Sequence, residues 1–131
     1  MLSETDSSED RYLNATEIEA LIAAGVSIQS HGVSHTPLVQ LSASEVESEL
    51  RGSKQGLEQL TSREIRHYAY PIGRVDDFNQ THAKLVETVG YQAAFTAIAQ
   101  PISDPLDLFQ IPRLGTRESN RHLRRRLGAP F

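Results

Sequence analysis

The chain of 131 residues contains no cysteine. That absence excludes disulfides, thiolate zinc sites and cysteine nucleophiles, and it means that any metal must be held by histidine and carboxylate. Long apolar runs are also missing. No stretch approaches the length that spans a bilayer, and Met1-Leu2-Ser3-Glu4 lacks the basic and apolar regions of a secretory signal. Neither membrane insertion nor an export route is expected from this sequence. Positive charge is in deficit: 13 Lys and Arg stand against 17 Asp and Glu, a formal charge of −4. No basic surface dominates, so nucleic acid is not expected as a partner. The two ends nevertheless differ. Glu4, Asp6, Glu9 and Asp10 make the start acidic, while Arg113, Arg117, Arg121, Arg124, Arg125 and Arg126 make the end basic. On a terminal helix such a basic run reads as a solvated face, and no function is assigned to it.

What is present suits one ordinary globular domain. Residues 1–12 are rich in Ser, Asp and Glu and read as a flexible acidic leader, with a single domain over residues 13–131. Asn14 with Glu17 forms an N-capping pair, Ile18, Leu21 and Ile22 follow at helical spacing, and Gly25 supplies the stop. Val26 to Ser30 alternates apolar and polar as a strand does, and runs directly into His31. Ser42-Ala43-Ser44-Glu45 is a capping box, opening a long helix with Val46, Leu50, Leu57 and Leu60 on one side. A second strand is expected over Ile65 to Tyr70, ended by Pro71 and Gly73. A helix follows from about Phe78 to Val89, then a strand from Tyr91 to Ala97 and another from Leu108 to Leu114, interrupted by Pro112. A helix over Asn120 to Leu127 closes the chain.

Helices alternating with strands argue for about four parallel strands with crossover helices, hence an α/β fold. Ligands gather at the C-terminal ends of the strands in such folds, where His31 to His35 and Tyr70 to Gly73 both fall. Four strands cannot close a barrel, which takes about 250 residues. The open sheet edge therefore calls for an upstream segment or a second copy of the chain to cover it.

His31 and His35, four residues apart, can bring both imidazoles to one metal if the turn between them is tight; the same spacing also serves histidines that only cap a turn. A catalytic zinc normally takes three protein ligands and an open position for water, and a second carboxylate would serve as general base. Asp76 and Asp77 are the only acidic pair close to a candidate site loop, but ahead of Phe78 they also suit the start of the third helix. Tyr70-Pro71-Ile72-Gly73 ends a strand in a turn whose amides could face a ligand and stabilise an oxyanion; a plain strand-terminating turn is the alternative. His67, His82 and His122 have no evident partner in the sequence. Arg113 stands where it could reach a ligand's carboxylate or form a structural ion pair.

In combination these segments resemble the polysaccharide deacetylase family, the NodB-homology domain of carbohydrate esterase family four. The stretch runs from Asn14 to Leu114. It includes Gly25 to His35 (Gly-Val-Ser-Ile-Gln-Ser-His-Gly-Val-Ser-His), Leu38, Ser42, Glu49-Leu50, Ser53-Lys54, Tyr68 to Gly73, Val89-Gly90-Tyr91 and Ala94-Phe95-Thr96. The resemblance implies a partial (β/α) barrel and hydrolysis of N-acetyl groups on a glycan, with a divalent metal, commonly zinc, bound by an Asp and two His. His31 and His35 take the two histidine positions. The Ile72 amide takes the oxyanion position, Tyr70 of the same turn is a second catalytic candidate, and Pro71, Gly73 and Arg113 are the candidates for substrate binding. Ala69 replaces the arginine that many members place two residues before the proline, as in the subgroup with a Phe-Ala-Tyr-Pro-like turn. Two family motifs have no counterpart here. Nothing before His31 matches Thr-Phe-Asp-Asp-Gly, the source of the base and the metal's Asp, and nothing after Arg113 matches Leu-x-His, the source of a general acid. Zinc binding by two imidazoles alone is expected to be weak.

Overall fold

A computed structural model describes residues 12–115. The acidic leader, apart from Tyr12, and the expected closing helix over 120–127 with His122 lie outside the described residues. Helix α1 spans Ala15–Ala23 and opens with the expected capping box, in which the Asn14 side chain and the Glu17 side chain each accept the other's amide. Its end is a Schellman turn: Gly25, at φ +90°, donates to the Ile22 carbonyl and Val26 donates to that of Leu21. The chain then passes His31 and a single 3-10 turn, Leu38–Gln40, and enters α2, Ala43–Thr61, through the Ser42–Glu45 capping box. Strand β1 (His67–Ala69), helix α3 (Gln80–Val89) and strand β2 (Ala93–Phe95) complete the regular elements.

β1 and β2 pair in parallel, with Tyr68 opposite Ala94. Two of the four expected strands are reduced to single parallel bridges, Ser30 to Tyr68 on one side and Phe95 to Ile111 on the other. The physical reason differs at each edge. On the first, the Gln29 side chain accepts from the amides of Arg66 and His67 and so occupies donors that a longer ladder would use. On the second, the Arg113 side chain donates to the Thr96 carbonyl and so occupies the acceptor that the ladder would use next after Ile111. The line order, with all four segments parallel, is nonetheless the one anticipated for a partial (β/α) arrangement.

The core lies between the sheet and the helices α2 and α3. Leu38, Val46, Leu50, Ile65, Tyr68, Tyr70, Phe78, Val86, Tyr91 and Ala94 form one buried cluster. α2 contributes Val46, Leu50 and Ser53, with Leu57 partly covered, whereas Leu60 is 40 % exposed, because the stripe outruns its packing partners in the last turn. α1 buries no residue fully. Tyr68 on β1 points wholly into the helix side, while its neighbours His67 and Ala69 are only half covered on the other face. One side of the sheet is thus packed and the other partly open. Among the described residues no helix is long and apolar enough to cross a membrane.

Candidate functional site

The parallel sheet delivers two segments to the same end. The first is the His31–His35 loop, which leaves the sheet immediately after the Ser30 bridge. His31 Nδ1 lies 2.7 Å from the carbonyl oxygen of Ala69, the last residue of β1. A carbonyl can only accept, so Nδ1 carries the proton and Nε2 is left with its lone pair in the neutral ring. The arrangement in which one ring nitrogen donates to a carbonyl and the other is free is the one that orients a metal-ligating histidine. The His35 ring sits beside it, with centroids 4.8 Å apart. His35 reaches that place at φ +59°, a left-handed conformation that few non-glycine residues adopt.

The second segment is the turn after β1. Tyr70 donates its amide to the Phe95 carbonyl, continuing the sheet for one residue. Pro71 and Gly73 are buried, and Ile72 between them stands out at φ +60°. Gly73 donates to the Pro71 carbonyl at 2.7 Å, so Ile72 is the centre of a γ-turn with positive φ, the rarer and more strained form. For a β-branched residue this is an outlier of the kind that collects at functional positions. The Ile72 amide has no acceptor among the described residues. Gly73 is required as glycine: a Cβ there would lie 2.9 Å from the Ala97 nitrogen and 3.0 Å from the Tyr70 oxygen. The two segments run close together, near enough that a Cβ on Gly32 would meet the Pro71 side chain at 3.6 Å.

The remaining expected residues divide. The Tyr70 ring is buried and stacked on Phe78, 4.1 Å between centroids, and its hydroxyl donates to the Phe109 carbonyl. Burial, with Asp107 nearby, pushes that hydroxyl's pKa far upward. What Tyr70 offers the site is therefore support from below. The Arg113 Nε donates to the Thr96 carbonyl, so part of its guanidinium holds backbone, and it forms no ion pair among the described residues. Asp76 and Asp77 do not start α3. Asn79 caps that helix, in a reciprocal capping box with His82, because the Asp77 carboxylate is already engaged by the Arg74 amide in the preceding turn. His82 thereby gains a structural role, and burial lowers its pKa. His67 packs edge-on against Phe95.

The groups beneath the histidine loop carry no motif of their own in the sequence. Glu49 on α2 accepts the amides of Val33 and Ser34, at 2.7 and 3.0 Å. Burial works against its charge, but these amides and the Ser34 hydroxyl outweigh it and hold the carboxyl below its ordinary range. Ser30, Ser53 and Tyr91 form a buried hydroxyl network, with Ser30 Oγ 2.7 Å from Ser53 Oγ and the Tyr91 hydroxyl donating to the Leu50 carbonyl. The Tyr68 hydroxyl is the one buried side-chain oxygen without a partner among the described residues. The available signal was positional: Glu49 and Ser53 are polar residues set in or beside the apolar stripe of α2.

As a donor set for a metal, the described residues supply two imidazoles and no more. No group of three or more His, Cys, Asp or Glu converges among them, which falls short of the three protein ligands of a catalytic zinc site.

Residues 5–94, more than half of the chain, match the family model described as Polysaccharide deacetylase. The chain belongs to the polysaccharide deacetylase family. Among curated proteins, YxkH of Bacillus subtilis (strain 168) is 28% identical over 85 residues, covering 65% of this chain and 29% of that protein. Among solved structures, BC0361, a polysaccharide deacetylase from Bacillus cereus, superposes with a TM-score of 0.68 at 27% identity, over 82% of this chain and 33% of that one. The Streptococcus pyogenes deacetylase PplD, solved in complex with acetate, shares the fold with a TM-score of 0.77 at 23% identity, over 90% of this chain and 52% of its own. The chain thus spans 29% to 52% of the length of these three proteins. Over that span it has their fold, and the partial (β/α) barrel expected from the sequence is the architecture found.

Proposed function

We propose that this chain carries the histidine and oxyanion parts of a site that hydrolyses N-acetyl groups on a polysaccharide with the help of a divalent metal, commonly zinc. The observation that carries the reading is the orientation of His31: its Nδ1 proton is given to Ala69, leaving Nε2 free beside the His35 ring and next to the strained Ile72 turn. Hydrolysis of an N-acetyl group adds water across the amide, releasing acetate and an amine. The developing charge falls on the carbonyl oxygen, and a preorganised amide such as that of Ile72 stabilises it. Pro71 and Gly73 hold that amide in place, and Arg113 is the candidate for contact with the glycan. His31 and His35 are the residues of this chain that would hold the metal, which when bound supplies activation of the attacking water. In the same reading, further chain or a second copy covers the half-open sheet face.

The test has two arms. Calorimetric titration with zinc is expected to show weak binding that His31→Ala abolishes; tight stoichiometric binding would mean a third ligand is present in this chain. Acetate release from N-acetylated chito-oligosaccharide, with zinc added, tests the reaction itself. A second reading is favoured by the two-ligand donor set: a non-catalytic glycan-binding or scaffold remnant of the same fold. Oligosaccharide binding without acetate release would decide for it.

A further inference from the structure

Apart from a long local bond from the Gly32 amide to Ser30 Oγ, at 3.5 Å, the His31–His35 loop is held at three points, and only one of them lies between the histidines and reaches them from another element. His31 itself is fixed by the Ala69 carbonyl. Within the loop, Ser34 Oγ donates to Thr36 Oγ1, a bond local to the turn. The third point is the Glu49 carboxylate. Its Oε2 accepts from the amides of Val33 and Ser34, both inside the histidine span, although Glu49 belongs to α2. Charge-assisted bonds of this kind are about twice as strong as neutral ones. Gly32 is fitted to the same oxygen: at φ +83° its missing Cβ would stand 3.0 Å away. Three consecutive residues therefore wrap one carboxylate oxygen.

The geometry points to Glu49 as the positioning residue of the candidate site: its carboxylate fixes the turn that carries His35 back beside His31. The inference rests on reading the histidine pair as the site, but it concerns the loop of the metal-free protein. His31 has its own anchor in Ala69, and the His35 ring has no hydrogen-bonded anchor among the described residues. Loss of Glu49 should therefore release His35 and leave His31 where it is. A general loss of stability would not make that distinction.

The experiment compares the full chain as wild type, Glu49→Gln and Val46→Ala in nuclear magnetic resonance without metal. Val46 is buried on the same helix and touches the core, so its truncation weakens α2 without removing the carboxylate. In Glu49→Gln, exchange of the Val33 and Ser34 amides should quicken by about tenfold or more, in keeping with the loss of bonds to a charged acceptor. The cross-peaks between the His31 and His35 rings should vanish while the His31 Nδ1 proton signal persists. Val46→Ala should leave these loop signals in place. Retained ring contact in Glu49→Gln, or equal loosening in Val46→Ala, overturns the inference. Should Glu49→Gln not fold, Glu49→Asp, one methylene short, must show the same loss of ring contact, and an intact loop in it overturns the inference equally. Zinc alone is then titrated calorimetrically, with an expected weakening of about tenfold or more, as for other residues that orient metal ligands. Absence of zinc binding by the wild type speaks against the metal reading above, while the loop comparison still decides the role of Glu49.

Discussion

The two loops of the candidate site solve one problem in different ways. Both leave the C-terminal end of the sheet, and both contain a non-glycine residue at positive φ next to or near a glycine, His35 with Gly32 and Ile72 with Gly73. The histidine loop is held by a carboxylate reaching across from α2. The Ile72 turn is held by its own backbone, through Gly73 to Pro71 and Ala97 to Gly73, over buried Pro71. One is fastened by charge and the other by shape. A loop of the first kind can be loosened by protonation or by substitution at a distance, whereas the second yields only to a change of volume or chain geometry.

The largest expected effect is Gly73→Ala. The new methyl would press on backbone atoms of Ala97 and Tyr70 that have no room to give, at a positive φ. A loss of about 2–4 kcal/mol is expected from conformation and overpacking together. Urea denaturation measures it, and a loss under about 1 kcal/mol would show that this turn relaxes as freely as a surface loop. Gly32→Ala should cost less, about 1–2 kcal/mol, because its nearest neighbour is the end of the Glu49 side chain, which can shift. If Gly32→Ala proves the costlier of the two, the contrast between the loops is reversed.

Next come the tyrosines below the loops. Tyr70→Phe removes the bond to Phe109 and should destabilise by about 1 kcal/mol, while Tyr68→Phe removes a hydroxyl that has no partner among the described residues and should be neutral or slightly stabilising. Equal losses in the two variants would mean that the Tyr68 hydroxyl is satisfied in solution. The smallest effect is in acid. Glu49 has its folded pKa below its ordinary value of 4.5, so its contribution is complete above about that pH and is lost as pH falls below it through the folded value. Glu45 and Glu58 are lowered too, by the hydrogen bonds from Ser42 and Lys54 respectively, and contribute to the same acid loss. The difference between wild type and Glu49→Gln isolates Glu49. Acid titration should shift the Val33 and Ser34 amide signals and leave that of Gly73 unchanged; a parallel shift of Gly73 would join the two loops into one unit.

Much of the architecture was legible in the sequence because it is written locally. Asn14 with Glu17, Ser42 with Glu45 and the glycines after α1 and α3 are short-range signals, and the structure has a helix boundary at each. Strand lengths were not legible. Gln29 satisfies two amides of the neighbouring segment, and nothing in an alternating apolar pattern reveals that a side chain will stand in for a ladder. The start of α3 lies later than expected for a related reason: Asp77 and Asn79 are equally good caps in sequence, and the turn at Arg74 decides which is left for the helix. At the site, the His31 to His35 spacing was visible, but the contact of Glu49 with the loop depends on packing of α2 across the sheet end, a relation between elements that no local pattern encodes.

The aromatic content of the fold also gives it an optical identity. Without tryptophan, ultraviolet emission comes from four tyrosines, and no indole masks it. Tyr12 is 98 % exposed, whereas Tyr68, Tyr70 and Tyr91 are buried, Tyr68 lying 5.4 Å from Tyr70 and 5.3 Å from Tyr91 between ring centroids. These three phenols sit under the two loops, with Tyr68 and Tyr91 reaching towards Gly32 and Ser53. Their absorption edge and mutual quenching make an intrinsic gauge of the packed side of the sheet, read without any attached dye, with Tyr12 as a solvent-exposed reference in the same spectrum.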